Sequence, residues 1–233
     1  MPDNKKIRLA LLSGGDSSER EVSLSSGNQV YKALDREKYQ ITRYDPKTDL
    51  LKLVKDADDI DAALLILHGP NGEDGTIQGL LELLKIPYQG AGVMGSAVAM
   101  NKVAAKKLYQ QTDIPVPAYL YFEKHEKIDT GICLQTLGLP LVVKPANAGS
   151  SVGIAIVNNE KELSSAIEKA FEQDNLILLE EYIRGIELTC GVLGNVELEP
   201  LPVIEIIPGH EYEFFDYKAK YIAGATEEIC PAR

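Results

Sequence analysis

Lys144 closes an apolar run, Val142-Val143-Lys144-Pro145, and a stretch of small residues follows it, Ala146-Asn147-Ala148-Gly149-Ser150-Ser151-Val152-Gly153. A lysine leaving a strand beside such a loop suits phosphate binding. The loop offers N–H groups and the hydroxyls of Ser150 and Ser151, and the amine adds positive charge. Leu176 to Glu187 is an apolar run that turns acidic. One reading of it is a solvated acidic loop. The other is an adenosine edge, with Glu180 near the adenine amine, the backbone of Glu181 to Ile183 against the ring, and Glu187 on ribose hydroxyls, since carboxylates accept well from diols. Lys102 sits in Ala99-Met100-Asn101-Lys102, where a surface lysine is the plain expectation. Phe214 to Tyr221 is aromatic and basic. It reads as a partly buried surface loop, or as a lid that carries Lys220 to phosphate and excludes water.

Two segments nearer the N-terminus also carry chemistry-bearing residues. Ser13-Gly14-Gly15-Asp16-Ser17-Ser18-Glu19-Arg20-Glu21 follows an apolar run. It is either a loop whose Asp16 or Ser18 caps a helix, or a site where Glu19 holds a substrate ammonium at the mouth of a sheet. His68-Gly69-Pro70-Asn71-Gly72-Glu73-Asp74-Gly75 follows the run Ala62–Leu67. A histidine, three glycines and two acids at a strand's C-terminal end point to a ligand, because ligands of open α/β sheets collect at that edge. His125 and His210 lie in polar segments and read as solvated. Gly90-Ala91-Gly92-Val93-Met94-Gly95 matches a dinucleotide-binding pattern, but tight-turn glycines account for it better. No GxxxxGK[ST] phosphate loop is present.

The elements that must position these residues fall into two styles. The first hundred residues alternate strand and helix: strands over 7–12, 39–44, 62–67 and 86–88, and helices over 19–34 and 75–84. A helix over 96–111 follows, ended by Asp113-Ile114-Pro115-Val116-Pro117. That pattern predicts a parallel sheet with ligand loops at the strand C-termini. The second style is α+β, with strands expected over 119–122, 141–144, 153–157, 176–180, 187–192 and 201–207, and one clear helix over 160–171. The expected divisions are 1–98, 99–185 and 186–233. The last is expected to be incomplete, since Glu227 to Arg233 has the character of the middle of a fold.

The chain has 233 residues and a formal net charge of −11. That acidity argues against nucleic acid and against an anionic membrane surface as partners. No apolar run is long enough to span a bilayer, and Met1 to Lys6 leads into the first strand without a signal-peptide core. Cys133, Cys190 and Cys230 are far apart and in no metal-like spacing; they read as reduced thiols, small buried apolar residues in a cytoplasmic protein.

Taken in order, these segments resemble the D-alanine–D-alanine ligases of the ATP-grasp superfamily: Gly-Gly-Asp-Ser-Ser-Glu-Arg-Glu-Val-Ser, His-Gly-Pro-Asn-Gly-Glu-Asp-Gly, Met-Asn-Lys, Val-Lys-Pro with Gly-Ser-Ser-Val-Gly, Asp-Tyr-Lys-Ala-Lys-Tyr and Ile-Cys-Pro-Ala. The resemblance covers essentially the whole chain. It implies an α/β fold, with an N-terminal parallel-sheet (pre-ATP-grasp) domain over 1–98. A central ATP-grasp subdomain, the ATP lid, follows over 99–185, and an incomplete C-terminal subdomain over 186–233.

It also implies roles. Glu19 orients the ammonium of the first D-alanine, and Ser150 and Tyr221 link to Glu19 by hydrogen bonds. His68 and Glu73 shape the wall near that substrate's carboxylate. Lys102, Lys144, Ser150, Ser151 and Lys220 serve ATP phosphates, and Glu180, Glu181, Ile183 and Glu187 contact adenosine. The implied reaction joins two D-alanines for peptidoglycan through an acyl phosphate, with ATP and Mg2+ or Mn2+. The family's metal ligands lie beyond Arg233, so no metal ligand is assigned here and the isolated chain is expected to be inactive. A homodimer is implied for the complete protein. The alternatives are a non-catalytic nucleotide- and D-alanine-binding fragment, or a ligase with another second substrate such as D-serine.

Overall fold

The structure is a computed structural model that describes residues 5–209, 217–222 and 224–233, the side chains of residues 217 and 218 excepted. His210 and residues 211–216, with Phe214 to Asp216 of the aromatic and basic segment, lie outside the described residues. The chain divides into two compact units: Met1–Val116 with Ala146–Gly149, and Pro117–Pro145 with Ser150–Arg233.

In the first unit, β1 (Ile7–Ser13) is the centre of a parallel sheet, between β2 (Tyr39–Tyr44) and β3 (Ala62–Ile66). The central position explains the continuous apolar run Leu9–Leu12, which is buried on both faces. α1 (Arg20–Ala33) carries the chain from β1 to β2. Between β2 and β3 come α2 (Pro46–Lys55) and a short 3-10 turn, Ala57–Asp59. α3 (Thr76–Leu83) follows β3, then α4 (Val93–Met100) and α5 (Lys102–Gln111). Ala10, Leu12, Leu53, Ala63, Ile77 and Leu81 form one core, closed by Tyr44 and Ile86. Ridge-and-valley closeness sets the α1 contact: a Cβ on Gly27 would fall 2.4 Å from the Ser13 Cβ.

The second unit holds β4 (Tyr119–Glu123), α6 (Thr130–Leu137), β5 (Leu141–Pro145), β6 (Ala155–Val157), α7 (Glu160–Gln173) and β7 (Leu176–Glu181). The four strands run antiparallel in the order β4-β7-β5-β6. α7 buries Leu163, Ala166, Ile167 and Ala170 against Leu141, Val143, Ile177 and Leu179. The 3.6-residue spacing on α7 and the two-residue alternation on β5 meet here in one core. Further along lie β8 (Glu187–Thr189), β9 (Val192–Leu193), β10 (Glu199–Pro200), β11 (Ile204–Pro208), α8 (Tyr217–Tyr221) and β12 (Thr226–Ile229). β11 pairs with β8 and β12, and β9 with β10.

Several elements differ from the sequence expectation. The helix expected over 96–111 is two helices, because Asn101 is extended and its side chain accepts from the Ala104 N–H at 2.9 Å. Asn is a strong N-cap, and it restarts the helix at Lys102. Asp45 and Asp129 likewise start α2 and α6, which periodicity alone did not reveal. Residues 86–88 form only a single bridge, Ala63 to Tyr88. The strand expected over 187–192 is interrupted, and β11 begins at Ile204. Neither Asp16 nor Ser18 caps α1: its N-cap is Glu19, and Asp16 pairs with Lys47 at 2.9 Å. Of the cysteines only Cys133 is buried, and burial raises its thiol pKa; Cys190 and Cys230 are exposed. The compact first unit also reaches past the expected 98/99 boundary, because α4 packs on α3 and α5 on α4.

At the start of β1, Arg8 donates to both oxygens of Asp61 and to Asp59. The Arg8 guanidinium and its backbone N–H hold the Asp61 carboxyl down from its ordinary 3.8 to about 2. A depressed carboxyl adds stability above its unfolded pKa and loses it as pH falls through the folded value. Acidification from about pH 4 to about pH 2 is therefore expected to remove this contribution. Arg8→Met should flatten the loss over that window, as thermal melts at stepped pH would show.

Candidate functional site

The C-terminal end of the parallel sheet is where the first unit gathers its polar loops. The loop after β1 is tied down by backbone-directed bonds: Gly14 N–H donates to the Ser23 hydroxyl at 2.8 Å, and Ser23 donates to the Ile66 carbonyl. Ser17 Oγ donates to the His68 carbonyl at 2.7 Å and accepts from the Glu19 N–H at 3.2 Å. Through Ser17 the loops after β1 and β3 are joined. Gly69 N–H donates to the Glu73 carboxylate at 2.6 Å, closing the second loop on itself.

Glu19 is the most confined acid of the set, with 2% of its surface exposed. A Cβ built on Gly69 would lie 2.3 Å from Glu19 Oε2, and one on Gly149 would lie 2.7 Å from it. Gly69 has φ +71°, so its backbone favours glycine as well as the space does. The carboxylate is thus pressed against two glycine backbones. The Ala146–Gly149 stretch is also held by Lys102, whose Nζ donates to the Ala148 carbonyl at 2.6 Å and whose N–H donates to the Ala146 carbonyl at 3.0 Å. His68 Nε2 is buried with no hydrogen-bond partner among the described residues. A cavity of about 360 Å³ borders the same two loops, lined by Gly14, Gly15, Ser17, His68, Asn71 and Thr76 among others.

The second unit brings together a different subset. Lys144, on β5, pairs with Glu180, on β7, across the sheet, in a pair whose side chains are 18% and 9% exposed. Ser150 Oγ and Tyr221 Oη are 2.6 Å apart, so the small-residue loop and α8 are bonded. Glu19, the third member of that expected link, belongs to the first unit. Ser150 and Ser151 both have positive φ, +48° and +60°, a conformation that departs from strand and helix alike. Glu181 spends its carboxylate locally, accepting from the Ala118 N–H at 3.0 Å. Ile183 and Glu187 line a cavity of about 450 Å³ whose far wall is β11. Lys220 lies on α8 beside Tyr221. His125 is exposed, as expected.

Sequence reasoning missed the groups that hold these residues. Gly69 and Gly149 read as loop glycines; nothing local says that a carboxylate lies against them. Asp45 was also missed. It accepts from Gly15 N–H at 3.0 Å and from both terminal nitrogens of Arg20, at 3.0 and 2.6 Å. Burial pushes its carboxyl upward, but Arg20 and the N–H groups of Gly15 and Lys47 outweigh this and hold it below the ordinary range. The Asp45-Pro46 dipeptide was the available signal, since it opens a helix.

A parallel-sheet unit followed by an antiparallel α+β unit is the ATP-grasp fold that the structural neighbours of this chain share. The family profile described as "D-ala D-ala ligase C-terminus" matches residues 108–233, and "D-ala D-ala ligase N-terminus" matches 8–51 and 43–91. A D-alanine–D-alanine ligase of Syntrophobacter fumaroxidans is 58% identical over 98% of this chain and 74% of its own length. The crystal structure of the D-alanine–D-alanine ligase of Bacillus anthracis superposes with a TM-score of 0.80 at 41% identity, over 96% of this chain and 71% of that one. A crystal structure of a D-alanine–D-alanine ligase from Bacillus anthracis complexed with ATP gives 0.78 at 38% identity, over 96% of this chain and 70% of that one. The VanG D-Ala:D-Ser ligase of Enterococcus faecalis gives 0.77 at 33%, over 98% of this chain and 77% of that one. The chain belongs to the D-alanine–D-alanine ligase family.

The Lys144–Glu180 pair is buried enough that removing one partner strands the other charge. Lys144→Met is expected to cost about 3 kcal/mol of unfolding free energy. Urea denaturation of the variant against the wild type measures it.

Proposed function

We propose that the protein is an ATP-dependent ligase that joins two D-alanines into D-alanyl-D-alanine for peptidoglycan. The observation that carries this reading is the confined Glu19 carboxylate packed against the Gly69 and Gly149 backbones, together with His68, the residue before Gly69, whose buried Nε2 has no partner among the described residues. A carboxylate and an imidazole suit the ammonium and carboxylate ends of an amino acid. The family membership supports the same reading, as does the relative that was solved with ATP.

In the first unit Glu19 would orient the ammonium of the first D-alanine, with His68 and Glu73 shaping the wall near its carboxylate. Lys102 would serve a phosphate. In the second unit the donor set fits a nucleotide. Lys144 and Lys220 supply ammonium groups, Ser150 and Ser151 supply hydroxyls and N–H groups, and Ile183 and Glu187 line a cavity with room for adenosine. Glu180 and Glu181 border that edge from β7. The Ser150–Tyr221 bond would hold α8 against the small-residue loop and keep water out. We place the nucleotide-binding subdomains at 99–185 and 186–233, after a substrate-binding region at 1–98.

The chemistry has two steps. The carboxylate of one D-alanine attacks the γ-phosphorus of ATP, and ADP leaves, giving an acyl phosphate. The amine of the second D-alanine then attacks the acyl carbon, phosphate departs, and the amine loses a proton. The residues above contribute position and charge neutralisation. Mg2+ or Mn2+ would supply further neutralisation at the phosphates. Among the described residues no cluster of three or more His, Cys, Asp or Glu side chains could hold a metal ion. No helix among them is long and apolar enough to cross a membrane. A cytoplasmic location and a homodimer belong to this proposal; sedimentation of the purified protein tests the dimer.

The test is a coupled assay of ADP release and dipeptide formation with ATP and D-alanine. Glu19→Gln is expected to lower kcat/KM for D-alanine about 100-fold, since it removes the group that positions the ammonium. Rates with D-serine or D-lactate in the second position above the D-alanine rate would favour a ligase of different product. Binding of both substrates with no turnover would leave a binding module in its place.

A further inference from the structure

Asp45 touches neither substrate in the scheme above, yet three elements meet on it. It directly follows β2, it caps α2 by accepting from the Lys47 N–H at 3.0 Å, and its own N–H donates to Asp49 at 2.9 Å. Its carboxylate then reaches the loop after β1, accepting from Gly15 N–H, and takes a two-pronged bond from Arg20. Arg20 adds a third bond, from Nη1 to the Gly15 carbonyl at 2.6 Å. The approach is close enough to exclude a side chain at Gly14, where a Cβ would meet all three carboxyl atoms of Asp45 at 2.7 Å. Arg20 is the first residue of α1, and Glu19 immediately precedes it.

A planar guanidinium bound at both prongs has one orientation, unlike a lysine at the same place. It fixes the start of α1 against the end of β2. The carboxylate of the preceding residue, Glu19, meets the backbones of Gly69 and Gly149. Glu19 is therefore joined along the chain to a salt-bridged anchor and packed through its side chain against two glycine backbones. Helix capping by Asp45 explains the Lys47 bond but not the Arg20 fork or the Gly15 bonds.

We infer that the Arg20–Asp45 pair is a positioning clamp that sets the Glu19 carboxylate for the amino group of the first amino-acid substrate. The inference rests on the reading of Glu19 as the ammonium-holding group. The pair acts through the loop and does not touch substrate.

Asp45→Asn separates the clamp from the cap, because asparagine caps a helix as well as aspartate but cannot hold the guanidinium charge. Arg20→Met removes the fork and keeps the bulk of the stem. The full chain would be titrated calorimetrically with D-alanine and, separately, with ATP. Hydrogen exchange over residues 14–20 would be followed by mass spectrometry, and melts would confirm folding. The clamp predicts D-alanine affinity lower by about tenfold or more in both variants, with ATP affinity unchanged and faster exchange over residues 14–20. Equal D-alanine affinity in wild type and variants overturns the clamp alone. Parallel loss of both ligands also overturns it, because that is a general structural defect. Absence of D-alanine binding in the wild type overturns the reading of Glu19, and the clamp's purpose with it.

Discussion

A carboxylate pressed against two glycine backbones is the constraint on which the first unit is built. Glu19 is nearly inaccessible, and the acid reaches that place only because Gly69 and Gly149 carry no side chain. Burying a carboxylate is costly unless its surroundings are polar and ordered. The surrounding loops are ordered by hydrogen bonds of their own, through Ser17, Ser23 and Glu73. The parallel sheet brings the ends of β1 and β3 side by side, so both loops leave from one edge. Rigidity of the sheet core is what lets a few hydrogen bonds fix the loop geometry.

The second unit solves a different problem with different means. Its sheet is antiparallel, and its covered face is a dry core of Leu141, Val143, Leu163, Ile177 and Leu179. Lys144 and Glu180 sit on neighbouring strands with most of their surface hidden. Such a pair gains little over an apolar replacement in net stability. In the nucleotide site proposed above, an ammonium already held by Glu180 would need little reordering to meet a phosphate. The small-residue loop after β5 then departs from regular geometry at Ser150 and Ser151, both of which have positive φ.

Much of this was legible in the residues. Continuous apolar runs marked β1 and β5, and helical spacing of apolar residues marked α3 and α7, because burial repeats with the period of the element; α1 instead buries Ser23 and Gly27. The order of the polar motifs carried the family resemblance, which the comparisons support. Capping was read less well. Asn101, Asp45 and Asp129 each start a helix, and each was passed over because hydrophobic periodicity takes no account of a side chain bonding to its own backbone. α4 and α6 were hard to separate or find because weakly amphipathic helices leave little periodic signal.

Sequence alone determined which groups can do chemistry: a lysine beside a small-residue loop, a glutamate in a serine-rich loop, a histidine at a strand end. Those follow from residue type and local spacing. Tertiary structure decided what holds them. Gly69 and Gly149 come from distant parts of the chain to meet Glu19, and Asp45 reaches Arg20 and Gly15 only because β2 lies beside β1. Long-range contacts of that kind leave no periodic trace, since the partners are set by sheet order and loop closure, not by neighbouring residues.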